Sequence, residues 1–389
     1  MGVAKLLGRV VHLTSVHSAF DVRIFHKECR TLADAGYEVT LVAPHDKAEF
    51  VDGVQIEPVS RNTSRRSRMT HTAWVVYRKA LASGADICHL HDPELLPVGV
   101  LLKLAGRRVI YDAHEDLSED ILIKSWIPRR VRGLVSASSR AIEQLATHAF
   151  DFVVSATPTI AKNFHPKKNV IVQNFPVVDE LVRGTEVPYT QRDPLLAYVG
   201  SITEVRGVQQ MVAAMHELPA RLASRMLLVG GIQNPSLGYR LRNSPGWERV
   251  DYFGFQERAG VASLLGRARV GLVVLHPVPS YLPSYPTKLF EYMSVGIPVI
   301  ASNFPTWRDI VDRVGCGLVV DPLNVREIAD AITWLLDNPD EAEAMGKRGR
   351  EAVRSTYNWS IQAKSLLELY SKIHRKGPRV SLASVTRLS

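Results

Sequence analysis

The sequence predicts two doubly wound, Rossmann-like α/β domains, each on a parallel sheet, facing each other across a cleft. Three observations carry this. The chain has 389 residues, roughly twice the usual size of one domain. Short, almost wholly apolar strands alternate with helix-patterned segments, as in a parallel sheet covered on both faces. The alternation breaks once, in a polar stretch bracketed by prolines, and then restarts.

In the first series, strands are expected at Val10–Val16, Glu38–Ala43, Val54–Val59, Asp86–His91, Val109–Ala113, Phe152–Ser155 and Val170–Gln173. Between the first two, Arg23–Gly36 sets Ile24, Phe25, Cys29, Leu32 and Ala33 at helical spacing and stops on Gly36, which makes a βαβ unit. The first domain is expected over residues 1–184 and the linker over 185–194. A second series follows over 195–358, with strands at Leu195–Val199, Met226–Val229, Val250–Phe253, Val270–Leu275, Val299–Ala301 and Leu318–Val320. A last helix, 360–376, is expected to return to the first domain, and the serine-rich end, 377–389, to be a flexible tail. In open sheets of this kind ligands bind beyond the carboxyl ends of the strands.

An apolar fraction of 46% and a charged fraction of 22% exclude disordered and fibrous classes. Cys29, Cys88 and Cys316 stand far apart and support neither a disulfide framework nor a zinc site, so a reducing cytoplasm is expected. No apolar run approaches the ~20 residues that cross a bilayer, so contact with the inner face of a membrane would be peripheral. The net charge of +9 calls for an acidic partner. Six cations and no acid lie between Pro58 and Ala85, including Arg61, Arg65, Arg66 and Arg68; five and no acid lie between Ile121 and Ile142, including Arg129, Arg130 and Arg132 near Trp126. The second group suits an interfacial helix on anionic lipid; the plainer alternative is a solvated basic face. Nucleic acid is not expected, because Arg61–Arg68 has no interleaved aromatics.

Two stretches carry chemistry. In Tyr198–Val208 a strand ends at Gly200, a loop with Ser201 carries Arg206 before Gly207, and a helix begins. Loop amides, a helix start and a guanidinium suit a phosphate, although a surface arginine on an ordinary turn would read the same. In Ser284–Ala301, Pro286 opens a helix on which Lys288 and Glu291 stand three apart. A diphosphate would meet Lys288, and Glu291 could accept both hydroxyls of a ribose; the alternative is a surface salt pair.

These stretches, in this order and followed by Gly315–Pro322, resemble family 4 glycosyltransferases, which are retaining enzymes of the GT-B fold. Asp21–Glu28, His89–Leu96, Tyr111–Asp116 and Gln173–Pro176 resemble the subgroup that builds bacterial surface polysaccharides. The resemblance implies a UDP- or GDP-linked sugar as co-substrate, no further cofactor, no metal, and a glycan or polyprenyl-diphosphate-linked acceptor. It places Gly200, Ser201, Arg206, Lys288, Leu289 and Glu291 at the donor and His91 beside the reacting carbon. His91, Arg206 and Lys288 become the catalytic set, with Arg23 on acceptor or diphosphate. The acceptor would attack the face from which the nucleotide leaves, and the departing diphosphate would help take its proton. The chain departs from the family at Pro283, where a first glutamate is usual, at Ser201, where an arginine is common, and at Ser18–Asp21, in place of a Gly-Gly loop. A GT-B sugar-nucleotide epimerase and an inactive relative are the alternatives. His89 is expected to pack behind His91, and His114 to be either structural or part of the site.

Overall fold

The computed structural model of the chain describes residues 6–61, 64–123, 127–178, 180–182 and 187–375. Trp126, the Arg65 side chain, residues 185 and 186 of the expected linker and the tail 377–389 lie outside the described residues. The described residues fall into two compact bodies, those of 6–174 with 361–375, and those of 175–360.

The first body holds β1 (Arg9–Leu13), β2 (Glu38–Pro44), β3 (Glu49–Val51), β4 (Val54–Val59), β5 (Ile87–Leu90), β6 (Arg108–Ala113), β7 (Phe152–Ser155) and β8 (Asn169–Ile171). They form one sheet in the order β3-β4-β2-β1-β5-β6-β7-β8, parallel except where β3 meets β4. β3 is absent from the sequence reading: three residues before a tight turn, with Asp52 at φ 48° and Phe50 exposed, carry no apolar pattern. β1 is shorter than expected because the Thr14 hydroxyl accepts the amides of Val16 and His17 and turns the chain out of the sheet. The strand order reverses between β1 and β5, so residues 14–23 and 91–92 follow the strands at the switch point.

The second body holds β9 (Leu195–Val199), β10 (Arg225–Val229), β11 (Val250–Gly254), β12 (Val270–Val273), β13 (Val299–Ser302) and β14 (Gly317–Val320), in the order β11-β10-β9-β12-β13-β14. Every pairing in this sheet is parallel. Phe175, Leu181 and Tyr189 belong to its core, so the second body begins ahead of the stretch 185–194. The final helix, Trp359–Arg375, counts with the first body from Ile361 onward, where Leu366, Leu369, Tyr370 and Ile373 are buried. Among the described residues no helix is long and apolar enough to cross a membrane.

The helix Thr287–Ser294 is fixed on the second sheet by Tyr292. A Cβ at Gly271 of β12 would lie 2.3 Å from Tyr292 Cδ2, so only glycine lets the ring lie flat there. The Tyr292 hydroxyl then accepts the Val199 N–H at 2.9 Å, capping the end of β9 just before the glycine loop. Replacing Tyr292 by Phe leaves that amide unpaired, and we expect a loss of about 1–3 kcal/mol of stability. It would be read as a lower denaturant midpoint at unchanged m-value; an unshifted midpoint would refute the cap.

Candidate functional site

In the second body the loop after β9 brings two cations together. Gly200 has φ 132°, and a Cβ there would stand 2.6 Å from Lys288 Cε, 2.8 Å from its Nζ and 3.5 Å from Arg206 Nη1. Lys288 thus lies against the bare backbone of Gly200, with its ammonium 5.1 Å from the Tyr198 ring centroid. It is buried, and no salt bridge joins it to a carboxylate among the described residues. Burial, with Arg206 nearby, pulls its pKa down to about 7 against the opposing pull of Glu291. The Thr203 hydroxyl, in the same loop, is buried without a hydrogen-bond partner. Ser201 is half-buried and its carbonyl accepts the Tyr198 hydroxyl at 2.8 Å.

Glu291 does not pair with Lys288, so the surface salt pair drops out. Its Oε1 accepts Arg258 Nη1 at 2.7 Å, while Arg258 Nε and Nη2 fork onto Glu180 at 3.1 and 2.7 Å. Leu289 is corrected from donor contact to core residue: its side chain is fully buried and its N–H is taken by the Pro286 carbonyl at 3.1 Å. A helix start with two cations and, among the described residues, no carboxylate in salt-bridge contact with either suits a doubly charged diphosphate.

In the first body the polar groups form a buried chain. Asp112, at the end of β6, accepts Arg23 Nε and Nη2 at 2.7 and 2.8 Å, and Arg23 Nη1 donates to the Val172 carbonyl at 2.9 Å. Arg23 was expected at acceptor or diphosphate; the structure corrects this, because it is buried with all three nitrogens committed. Burial raises the Asp112 pKa, but the Arg23 charge and the bonds from His91 and Arg23 outweigh it and hold the carboxyl well below the usual range. A carboxylate only accepts, so His91 Nδ1, 3.1 Å from Asp112 Oδ2, carries a proton. His91 Nε2 then faces His12 Nδ1 at 2.8 Å. His12 Nε2 lies 3.4 Å from the Tyr370 hydroxyl, which meets His89 Nδ1 at 2.9 Å. Burial, with repulsion between the rings, keeps His12 and His89 well below the usual histidine pKa, hence neutral. His91 is therefore fully buried with both ring nitrogens engaged.

The imidazoles nearer the surface are His17 and His114. Asp92 accepts Thr14 Oγ1, Ser15 N and Ser15 Oγ on Oδ2, and its Oδ1 lies 3.4 Å from His17 Nε2. Burial opposes the charge on His17, but Asp21 and Asp92 prevail and raise its pKa to about 9. His114 stands edge-on to His17 at 5.0 Å.

One group of described residues has a donor set suited to a cation: His12, Glu28, His89 and His91, all buried, with donor atoms within 4.8 Å of one another. The fit is poor. His91 is stacked on His12 and His89 at 16° and 30°, a ladder of rings and not a convergence of lone pairs, and Arg23 Nε already stands 3.2 Å from Glu28 Oε1.

Of the basic residues read as a membrane patch, two are otherwise employed. Arg68 forks onto Glu94 at 3.1 and 3.0 Å, and Arg132 donates to the carbonyls of Ile127 and Leu122. Arg61, Arg66, Arg129 and Arg130 are exposed. The helix Arg132–Ala149 also leaves Leu134, Ile142 and Leu145 at 71%, 60% and 77% exposure.

Glu180, Arg258, His12, Asp112 and Tyr370 were not singled out from sequence. His12 and Asp112 had a usable signal, a polar residue inside an otherwise apolar strand; Arg258 and Glu180 had none.

Two Rossmann-like bodies on parallel sheets are the architecture of GT-B enzymes, and comparison with known proteins agrees. Residues 22–172 match the family described as "Glycosyl transferase 4-like domain" and residues 186–352 match "Glycosyl transferases group 1". The chain belongs to the glycosyltransferases of this family 4 type. Among similar proteins, alpha-D-kanosaminyltransferase of Streptomyces kanamyceticus is 26% identical over 72% of both chains. Phosphatidyl-myo-inositol mannosyltransferase of Mycobacterium tuberculosis is 23% identical over 90% of this chain and 92% of its own. In fold the chain is similar to a sucrose-phosphate synthase from Thermosynechococcus elongatus, with TM-score 0.75, 20% identity and coverage of 95% and 99%. It is also similar to Anabaena HepE in complex with UDP and glucose, with TM-score 0.70, 12% identity and coverage of 94% and 100%.

A diphosphate diester has no titration of its own near neutrality, so its binding at Gly200 should recharge Lys288 and take up a proton. Affinity should fall by up to roughly tenfold per pH unit above pH 7, and replacing Lys288 by Met should flatten that slope. Calorimetry in buffers of different ionisation enthalpy would show the uptake; none at pH 8 would refute the part given to this lysine.

Proposed function

We propose that the protein is a retaining glycosyltransferase that moves a sugar from a UDP- or GDP-linked donor onto a glycan or polyprenyl-diphosphate-linked acceptor in cell-surface polysaccharide synthesis. The observation that carries this reading is the pair of cations, Lys288 and Arg206, brought to Gly200 without a carboxylate partner on Lys288. As the bond from sugar to diphosphate breaks, negative charge grows on the leaving oxygens, and cations already in place and partly desolvated stabilise it without reorganising. They supply the charge that a divalent ion supplies elsewhere, so the reaction as proposed needs no metal. Glu291, one turn deeper on the same helix, accepts from the ribose. The acceptor attacks the face that the nucleotide vacates, the diphosphate helps to take its proton, and no protein nucleophile is required. His91, expected beside the reacting carbon, is fully buried with Asp112 on one nitrogen and His12 on the other, so it acts behind the sugar site as a positioning residue.

The proposed setting is the cytoplasmic face of an anionic membrane. Leu134, Ile142 and Leu145 on one helix, with Arg129 and Arg130 just ahead of it, combine exposed apolar area with charge, as interfacial helices do. The name of the mycobacterial relative, a mannosyltransferase of phosphatidyl-myo-inositol, agrees with a lipid-linked acceptor.

A thermal-shift screen of UDP, GDP and their sugars should find one nucleotide that raises the melting temperature, since ligand at a hundred times its Kd stabilises by about 2.7 kcal/mol. Glu291→Ala should weaken that nucleotide at least tenfold, and His91→Ala should cut turnover about a hundredfold with the nucleotide Kd unchanged. Stabilisation by no nucleotide, or full turnover in His91→Ala, would overturn the reading. In flotation with anionic vesicles, Arg129→Glu with Arg130→Glu, and separately Leu134→Ser with Leu145→Ser, should each reduce the floated fraction severalfold. Undiminished flotation, or none by the parent protein, would dismiss the membrane setting.

A further inference from the structure

The two oxygens of Glu291 are not equivalent, because one already accepts a guanidinium. Arg258, the first residue of the helix Arg258–Arg267, donates from Nη1 to Glu291 Oε1 at 2.7 Å. The other edge of the same guanidinium, Nε with Nη2, is taken by both oxygens of Glu180 at 3.1 and 2.7 Å. The fork of this guanidinium is spent on Glu180, and what reaches Glu291 is one nitrogen on one oxygen. Among the described residues no hydrogen bond reaches Glu291 Oε2, and the Glu291 side chain keeps 14% of its surface open. Burial opposes the charge on Arg258, but bonds and attraction from Glu180 and Glu291 prevail, so Arg258 stays a cation.

We propose that Arg258 is a positioning residue for ribose recognition: it fixes Glu291 by Oε1 and leaves Oε2 as the oxygen that reads the nucleotide's hydroxyls, while Glu180 keeps Arg258 from capturing both. This rests on the reading of Glu291 as the ribose acceptor. Two consequences separate it from a salt bridge that merely braces the fold. Loss of Arg258 frees the carboxylate to swing, so recognition of the ribose hydroxyls weakens while the diphosphate cradle is untouched. Loss of Glu180 lets the forked edge of Arg258 turn onto Glu291 and occupy Oε2, so it weakens recognition by the opposite route. The two losses therefore do not add: with Arg258 already gone, Glu180 has nothing left to restrain.

The test measures Kd of the full chain for UDP and GDP, for their 2′-deoxy and 3′-deoxy forms, and for inorganic pyrophosphate as a probe without ribose. For the nucleotide that binds, the parent protein should lose at least tenfold in affinity when a hydroxyl is removed. Arg258→Met should reduce that discrimination to threefold or less with the pyrophosphate Kd unchanged. Glu180→Ala should do likewise, and the double variant should match Arg258→Met alone. Arg258→Lys, which keeps the charge but not the fork, should fall between and serves if the methionine variant does not fold. Unchanged discrimination in Arg258→Met, or tighter nucleotide binding from release of a competitor, would overturn the proposal. A parent protein indifferent to both hydroxyls would instead overturn the ribose role of Glu291 itself.

Discussion

A carboxylate at the end of a buried parallel strand must be neutralised where it stands, and in the first body the polar interior is organised around that requirement. Asp112 is fully enclosed and ionised because Arg23 forks onto it. The same guanidinium bonds the Val172 carbonyl, so it also ties the chain just after β8 to the middle of the sheet. Removing one partner of such a pair strands a charge, typically at a cost of about 3–5 kcal/mol. With Asp112 fixed as an acceptor, the proton on His91 Nδ1 is fixed, and the neutral rings of His12 and His89 continue the order outward to Tyr370. A reversed chain would put two acceptors face to face at Asp112 and an unpaired N–H at His89 Nε2, which has no hydrogen-bond partner.

The second body applies the opposite device. There a cation is buried without a carboxylate beside it, and its charged form is disfavoured by burial and by Arg206. On the proposed reading that deficit gives the loop after β9 its chemistry, because an incoming anion would restore what desolvation removed. Glu291 pulls the other way without closing on Lys288, and its Oε1 meets Arg258 instead. Glycine at 200 makes room for the ammonium, and Tyr292 secures the strand that presents the loop.

Much of this was legible in the order of residues. The period of apolar positions and the single break identified two parallel α/β bodies. The sequence Gly200, Arg206, Gly207 and the spacing from Pro286 to Glu291 marked the cationic loop, because helix starts and glycine turns are local features. Failures fell where a partner is distant in sequence. Arg23 looked like a loop cation open to ligand, yet its partner is Asp112, and Arg68 looked like a lipid contact, yet it is spent on Glu94. β3 escaped because an edge strand of three residues needs no apolar face.

By itself the sequence determined the class of fold, the glycosyltransferase family and the place of the cationic glycine loop, since periodicity, turn chemistry and charge are written along the chain. Only the tertiary structure decided which charges remain available. Lys288 and Glu291 share a helix face, and nothing local prevents them from pairing. In the fold Glu291 meets Arg258, which reaches in from the start of another helix, and among the described residues no salt bridge joins Glu291 to Lys288, because a buried charge is governed by the opposite charges near it in space and not by its neighbours along the chain.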